Sequence, residues 1–406
     1  MQNLSGKQRP SYKRFYPSVL LIALCSHYAY YYLVFRGDYG ECLPLVLLAI
    51  TCMILGYAFG SFARITVGTK RRNNRIAPRR DPVIRVKALK RAAIAFLLIG
   101  IGAHLFYYSR NPIASYAGSY TASRGSGYVT VFFNFWLLGM VLLEYLSLDG
   151  ETGRFLKFAN RLLILIYTVF YVLLLMKRRQ IIMLFLALFA IWGTKMPKRR
   201  KVAMYVLGAG AACIFMIMGR ARGYIDHYGF FEAIPYILEA FSTEWLALEK
   251  FEGRYISRTL NHVRGYVETI GHDSSIIWGV LFCMVPRKLL GGQKPLAFPE
   301  WYTKHFYPTD FARGTGYAGS MVAELYLIGG IPLLIFGYLL IGYISARIHK
   351  NVLKQQNSGS LLVYSLFIYT ILLLPRYDLA SLLIDAMFLY LPLILICGGR
   401  IKFQAS

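Results

Sequence analysis

The chain has 406 residues, of which 57% are hydrophobic, 16% aromatic and only 16% charged. With a mean hydropathy of +0.46, those proportions exclude a pair of soluble domains and define an all-α polytopic integral membrane protein. A formal net charge of +27 would suit a nucleic-acid binder, but the excess sits in short blocks between apolar runs, where it reads as a topology signal.

The first apolar run, 17–35, follows Lys7, Arg9, Lys13 and Arg14, which places the N-terminus in the cytoplasm. No small-residue cleavage site follows the run, so it is read as a retained helix. A short outer turn at Arg36–Glu41 leads to the second run, 43–63. From Arg64 to Arg91 eleven Lys/Arg residues stand against the single Asp81, the strongest positive-inside block in the chain and a surface for anionic headgroups. The third run, 92–109, goes out and the fourth, 129–148, returns, with a Ser/Tyr/Gly-rich outer loop between them. The fifth run, 162–176, leads into Lys177-Arg178-Arg179 and the sixth, 181–194, follows directly.

This parity puts Lys177, Arg178 and Arg179 at the outer face, where positive-inside bias predicts few cations. A re-entrant pair would explain them, and so would an anion site, because planar guanidinium forks suit phosphate and pyrophosphate bidentately. The seventh run, 202–218, exits into a long segment, 219–320. Over 219–318 eleven basic residues face ten acidic ones, the near-balance of a translocated segment. Within it Ile234, Ile237, Leu238, Phe241, Trp245 and Leu248 recur at helical spacing, which predicts an amphipathic helix along the interface. The run 276–285 is too short to cross about 30 Å of hydrocarbon and is expected to be half-inserted or packed. Runs 321–344, 361–374 and 382–397 complete about ten spans, or up to 12 with elements hidden in the long loop, and both termini lie inside.

Three regions follow: an N-terminal bundle (1–218), a long loop with amphipathic helices (219–320) and a C-terminal bundle (321–406). The six cysteines (Cys25, Cys42, Cys52, Cys213, Cys283, Cys397) lie mostly inside apolar runs with no CxxC or metal-ligand spacing, so neither disulfides nor a metal site are expected.

The order of parts resembles the bacterial polysaccharide repeat-unit polymerases, the O-antigen polymerase (Wzy-type) family. The residues that carry the likeness are Lys177-Arg178-Arg179 between two apolar runs, then a long loop closing on Val285-Pro286-Arg287, Lys294-Pro295 and Gly316 through Ser320, and then Glu324 through Pro332. Gly291-Gly292-Gln293 stands where a bulkier, often aromatic, lead-in to Lys294-Pro295 is expected. The resemblance implies a GT-C-like membrane glycosyltransferase of the bacterial inner membrane, working at its periplasmic face. It would take a glycan from one undecaprenyl-pyrophosphate lipid and transfer it to the non-reducing-end sugar hydroxyl of another. Its partners would be that lipid-linked oligosaccharide and membrane lipids, together with a chain-length regulator and a flippase, and no cofactor is implied.

Leaving-group charge builds on a pyrophosphate in such a transfer, and fixed guanidinium groups would stabilise it. Arg178, Arg179 and Arg287 are the leading candidates, with Arg220, Arg222, Lys294 and Arg376 as a second set. Each has a plainer reading as a snorkelling or headgroup-facing cation. The acceptor hydroxyl needs a base, and Glu324, Asp226 and His272 lead a group that includes His227, Glu244, Asp273 and His305. Glu324 sits inside an apolar run, where an ionised carboxylate is costly unless partnered; a structural pairing with Arg287 or Arg313 would also explain it. Trp301 and Tyr302 are the aromatics favoured for stacking on sugar faces. Two other readings remain open: an O-antigen ligase, which would need an acceptor site for a second bulky lipid, and a flippase or transporter for lipid-linked glycan, which would show mid-membrane charges and an internal repeat.

Overall fold

The computed structural model describes residues 18–28, 31, 40–62, 86–111, 127–148, 150–174, 178–195, 224–225, 227–229, 232–236, 238–239, 253–313, 316–317, 319–355 and 358–396. Among these residues every regular element is helical. The first half contributes α1 (Val19–His27), α2 (Leu43–Phe62), α3 (Val86–Arg110), α4 (Gly127–Val131), α5 (Phe133–Leu148), α6 (Arg154–Val169) and α7 (Arg178–Lys195). The second half contributes α8 (Gly253–Thr269), α9 (Ile276–Leu281), α10 (Phe298–Phe306), α11 (Pro308–Arg313), α12 (Met321–Gln355), α13 (Ser358–Leu372), α14 (Leu379–Asp385) and α15 (Leu391–Ile396). Single π-helical turns at Phe170–Leu174 and Ala386–Tyr390 extend α6 and join α14 to α15.

Among the described residues six helices are long and apolar enough to cross a membrane: 43–62, 87–110, 129–148, 154–172, 321–353 and 379–396. The sixth and ninth expected runs form shorter apolar helices, Arg179–Gly193 and Leu361–Leu372. Among the described residues the first run supplies the nine of α1, and the seventh, 202–218, lies outside the described residues.

Two glycine seams hold the bundle together. With no hydrophobic drive between helices in lipid, small residues let backbones meet, and Gly56-x-x-x-Gly60 does this on α2. A Cβ at Gly56 would lie 2.1 Å from the Leu339 carbonyl oxygen, and one at Gly342 would lie 2.2 Å from that of Met53. Gly56 meets Leu339 and Gly60 meets Tyr343, so α2 and α12 run parallel. On the second seam, a Cβ at Gly100 of α3 would come within 2.1 Å of the Trp136 nitrogen of α5. Gly56→Leu is therefore expected to overpack the first seam at a cost of about 1–3 kcal/mol. The check is the melting temperature in detergent against Gly102→Ala, whose Cβ would meet nothing.

A buried carboxylate ties three further helices together. Glu144 of α5 accepts from the Trp192 indole of α7 at 3.0 Å and from the Asn160 amide of α6 at 3.3 Å. Its charge thus serves as a structural clamp, with Arg161 at 3.9 Å.

The described part of the long loop, 253–313, forms a helical cap. In α8, Ile256, Leu260 and Val263 are buried at i, i+4 and i+7, and the helix packs on α12 and the Gly40–Cys42 turn. Outward on α8, Arg264 bonds Glu268 at 2.7 Å and Glu41 at 2.9 Å. The expected amphipathic helix around 234–248 is described only at 232–236 and 238–239, with helix at 234–236 and 238–239. The amphipathic helix on display is α8 instead. Its stripe is legible in the sequence, but Arg258, Asn261, His262 and Arg264 dilute it.

The run expected to be one span from Met321 is broken. Gly329 (φ −151°, ψ 21°) and Gly330 (φ 63°, ψ −153°) leave helical geometry inside α12. The eight residues before them reach about 12 Å, whereas the 25 after them reach about 37 Å, enough to cross a bilayer. Pro332 cannot donate to the Ile328 carbonyl, and the Gly330 conformation is one that a side chain disfavours. Backbone groups freed in this way must be satisfied from elsewhere. The cap does so, because Asp273 donates its amide to the Leu327 carbonyl at 3.0 Å.

Candidate active site around a broken helix

The half-helix Met321–Ile328 is the centre of the site. Ser320 starts it, its hydroxyl accepting from the Ala323 amide at 3.3 Å and sharing a 2.9 Å hydrogen bond with the Tyr31 hydroxyl. One turn on, Glu324 is fully buried. Its Oε2 accepts from the Leu379 amide at 2.6 Å, while Oε1 finds no hydrogen-bond partner among the described residues. An orphaned buried carboxylate oxygen is costly and calls for a donor. The pairing expected for Glu324 with Arg287 is not the contact observed, since Arg287 faces Glu300 and a backbone amide bonds Glu324; the Arg313 side chain lies outside the described residues.

Beside Glu324 lies the turn that precedes α14. Asp378 caps α14, accepting from the Ser381 amide at 3.0 Å and its hydroxyl at 2.6 Å. Burial pushes the Asp378 carboxyl up, partly offset by the two Ser381 bonds. Arg376 ends the 3-10 turn Leu374–Arg376 and is half-buried two residues away. Gly319 passes close by, since a Cβ there would lie 3.1 Å from the Asp378 Cβ.

Arg179, in the first turn of α7, points into the same region. Its Nε donates to the Tyr369 hydroxyl at 2.8 Å, and its Nη2 donates to the Tyr377 hydroxyl at 3.1 Å and to the Asp385 carboxylate at 3.0 and 3.2 Å. Tyr377 also donates to Asp385. Asp385 is buried, yet the Arg179 side chain remains 46% exposed. The guanidinium is thus fixed along one edge and open along the other, as preorganised anion recognition requires.

From the cap side, Lys294 donates its Nζ to the Cys283 carbonyl at 2.6 Å, which leaves two ammonium protons for other acceptors. His272 sits on the break itself. Its Nδ1 lies 3.1 Å from the Tyr326 carbonyl, which can only accept, so a neutral ring carries its proton there and presents Nε2 as a lone pair. That ring is exposed and packs at Gly330, where a Cβ would lie 2.9 Å from its Cε1.

The neighbouring Asp273 locks this loop. It accepts from the Trp301 indole at 2.9 Å and the Ser275 amide at 3.0 Å. Burial alone would raise its carboxyl, but Ser275, Trp301 and His305 together hold it below the usual carboxylate value. A lowered folded value means that the stabilisation is complete above the ordinary carboxylate range and is lost as pH falls through the depressed value. Amide protection across 271–275, judged by the exchange rate relative to the unprotected rate at the same pH, is therefore expected to fall on acidification through that window, and to be low throughout it in Asp273→Asn.

The described contacts link Arg179, through Tyr377, to the turn from Arg376 to Leu379 that bonds Glu324; His272 stands at the other end of the half-helix, on the Tyr326 carbonyl, and Lys294 is held on the Cys283 carbonyl. Arg287 is different: it lies on an exposed turn, pairs with Glu300 at 3.5 Å and takes no part in the Arg179 network. Arg178 opens α7, but its side chain is not described. Arg220, Arg222 and Asp226 lie outside the described residues. Trp301 and Tyr302 are 3% and 1% exposed, so neither offers a face to a sugar. Trp301 stacks on His305 with centroids 4.3 Å apart, and Tyr302 packs on Phe306 at 5.1 Å and lies 3.0 Å from His262 Nδ1 through its hydroxyl. They form the core of the cap, because an aromatic run this dense buries its own rings first. Tyr369, Tyr377 and Asp378 were not anticipated as site residues. Tyr377 and Asp378 stand in the Pro375-Arg376-Tyr377-Asp378 turn, where the signal was readable, whereas nothing local distinguishes Tyr369.

Bundle and site together define a polytopic helical membrane protein with cations and carboxylates near the start of α12 and the turn before α14. The chain belongs to the O-antigen polysaccharide polymerase Wzy family, a model of which matches residues 12–402. Family membership makes it a membrane-embedded, glycosyltransferase-type polymerase of O-antigen repeat units, acting on lipid-linked oligosaccharide. No curated protein and no solved structure matches the chain.

Proposed function

We propose that the protein lengthens a surface polysaccharide at the periplasmic face of the inner membrane, moving the growing glycan from one undecaprenyl pyrophosphate onto the non-reducing-end hydroxyl of the next lipid-linked repeat unit. The observation that carries this reading is the partly exposed Arg179 guanidinium held by Tyr377, next in sequence to the Asp378-Leu379 turn that bonds Glu324, with the His272 lone pair at the other end of the half-helix. Two negative phosphates need fixed donors that cost no reorganisation as the sugar–phosphate bond breaks. Arg179 supplies a fork, while Lys294 and Arg376 supply further positive charge. His272 Nε2 takes the proton of the attacking hydroxyl, and the free oxygen of Glu324 accepts a hydrogen bond from a sugar hydroxyl of the bound unit. In this reading Arg178, Arg287, Arg220 and Arg222 serve as further cations that draw the pyrophosphate in, and Asp226 as a further acid of the same loop.

The test is reconstitution of the purified full chain in proteoliposomes with an undecaprenyl-pyrophosphate-linked repeat unit. The expected product is a ladder of lengthened glycan lipids with release of undecaprenyl pyrophosphate. Movement of the unextended lipid across the bilayer without any ladder would instead establish a transporter, and product formed only when lipid A core is supplied would establish a ligase.

A further inference from the structure

Between Asp273 and Arg287 the chain carries no charged residue, although charges punctuate the cap on both sides. The stretch contains α9, which reaches only about 9 Å and cannot cross a bilayer. Its inner side is fixed by packing: Ile276 and Gly279 are buried, and a Cβ at Gly279 would lie 2.0 Å from the Leu296 carbonyl oxygen. The opposite side holds Ile277, Trp278 and Leu281, the last two 55% and 57% exposed, and Leu289 on the following turn is 76% exposed. Three large apolar side chains on one helix face, with Leu289 exposed a short way along the chain, are more than a water-facing cap would keep without a partner.

Two observations identify what covers it. First, α9 packs against α14, the start of the membrane-spanning stretch Leu379–Ile396, whose Met387, Leu391 and Leu395 are exposed and face lipid. The α9 patch sits at the rim of that span, where hydrocarbon gives way to headgroups. Second, its composition suits that depth, with an indole, long aliphatic chains and the exposed cation Arg287 beside them, since aromatic rings and basic groups concentrate at the interface.

We propose that Ile277, Trp278, Leu281 and Leu289 form a membrane-docking keel that seats the cap on the bilayer surface at the rim of the Leu379–Ile396 span. The occupant is phospholipid. Seating the cap there holds Lys294 and His272 at the level where a lipid-linked pyrophosphate travels.

The test uses the full chain in phosphatidylethanolamine/phosphatidylglycerol nanodiscs, with the six native cysteines replaced by alanine and a nitrobenzoxadiazole label on Leu281→Cys. Lipids carrying a doxyl group high on the acyl chain are expected to cut its emission about twofold or more. A label on Lys304→Cys, exposed on α10, should keep its emission. Equal emission at the two positions would overturn the proposal. So would a label at 281 that is shielded only when two copies share a disc, which would make the patch a contact between copies. Leu289→Cys repeats the measurement should Leu281→Cys fail to fold. The readout involves no glycan, so the keel stands or falls separately from the transfer chemistry.

Discussion

Arg179→Ala is expected to abolish chain extension and to lower thermal stability together. Asp385 is buried and takes the guanidinium at 3.0 Å, so removing Arg179 leaves a buried carboxylate uncompensated, at a cost of about 3–5 kcal/mol. The double substitution Arg179→Ala with Asp385→Asn removes that charge and should restore the melting temperature. It should not restore polymer, because the edge of the guanidinium facing away from Asp385 is the part assigned to the pyrophosphate. Losing one preorganised donor to a developing oxyanion costs about 10²- to 10³-fold in rate. Arg179→Lys sharpens the comparison, since it keeps a charge but replaces a planar fork by a point donor. Normal chain lengths from a stable double variant would make Arg179 a structural residue and remove it from the site.

The second large effect concerns the two groups on either side of the half-helix. His272→Ala should reduce extension by about 10²- to 10⁴-fold, the range for loss of a general base, with little change in stability, because the exposed ring bonds a single carbonyl. Glu324→Gln should preserve the fold, since the amide oxygen can still accept from Leu379, yet it places an NH₂ where the free oxygen pointed. A loss of about 10-fold or more in extension at an unchanged melting temperature is the expected reading, in line with a charge-assisted hydrogen bond of about 1.5–3 kcal/mol. Glu324→Ala should behave differently, because it also strands the buried Leu379 amide and destabilises by about 1–3 kcal/mol. If Glu324→Gln polymerises normally, its free oxygen has no part in holding substrate.

The sequence carried some of these features openly. Gly56-x-x-x-Gly60 is a small-residue seam by its spacing alone, and the charge blocks set an orientation consistent with α2 and α12 running parallel. Arg179, Glu324 and Arg376 could be singled out because each is a charge against or within an apolar run, where charge is expensive and must be partnered, and Lys294 through the Lys294-Pro295 step of the resemblance. The break in α12 was also written in Gly329-Gly330-Ile331-Pro332. It went unread because hydropathy is continuous across it and averages over backbone geometry. Trp301 and Tyr302 were legible only as aromatics: a ring that can stack on a sugar can equally well stack on His305 or Phe306, as these do, and composition does not say which.

By itself the sequence determined that the chain is a helical bundle in a membrane, which residues are costly enough to need a purpose, and that the basic pair Arg178-Arg179 sits between two apolar runs. Local chemistry decides such things, since transfer free energy and charge desolvation are properties of a segment. Only the tertiary structure decided partners. Arg179 meets Tyr369 and Asp385 about 200 positions away, and Glu324 meets the Leu379 amide 55 positions away. The broken helix is completed by Asp273 and His272 from the cap. A hydrogen bond a few ångströms long is decided by how helices pack, and no window of sequence contains both of its ends.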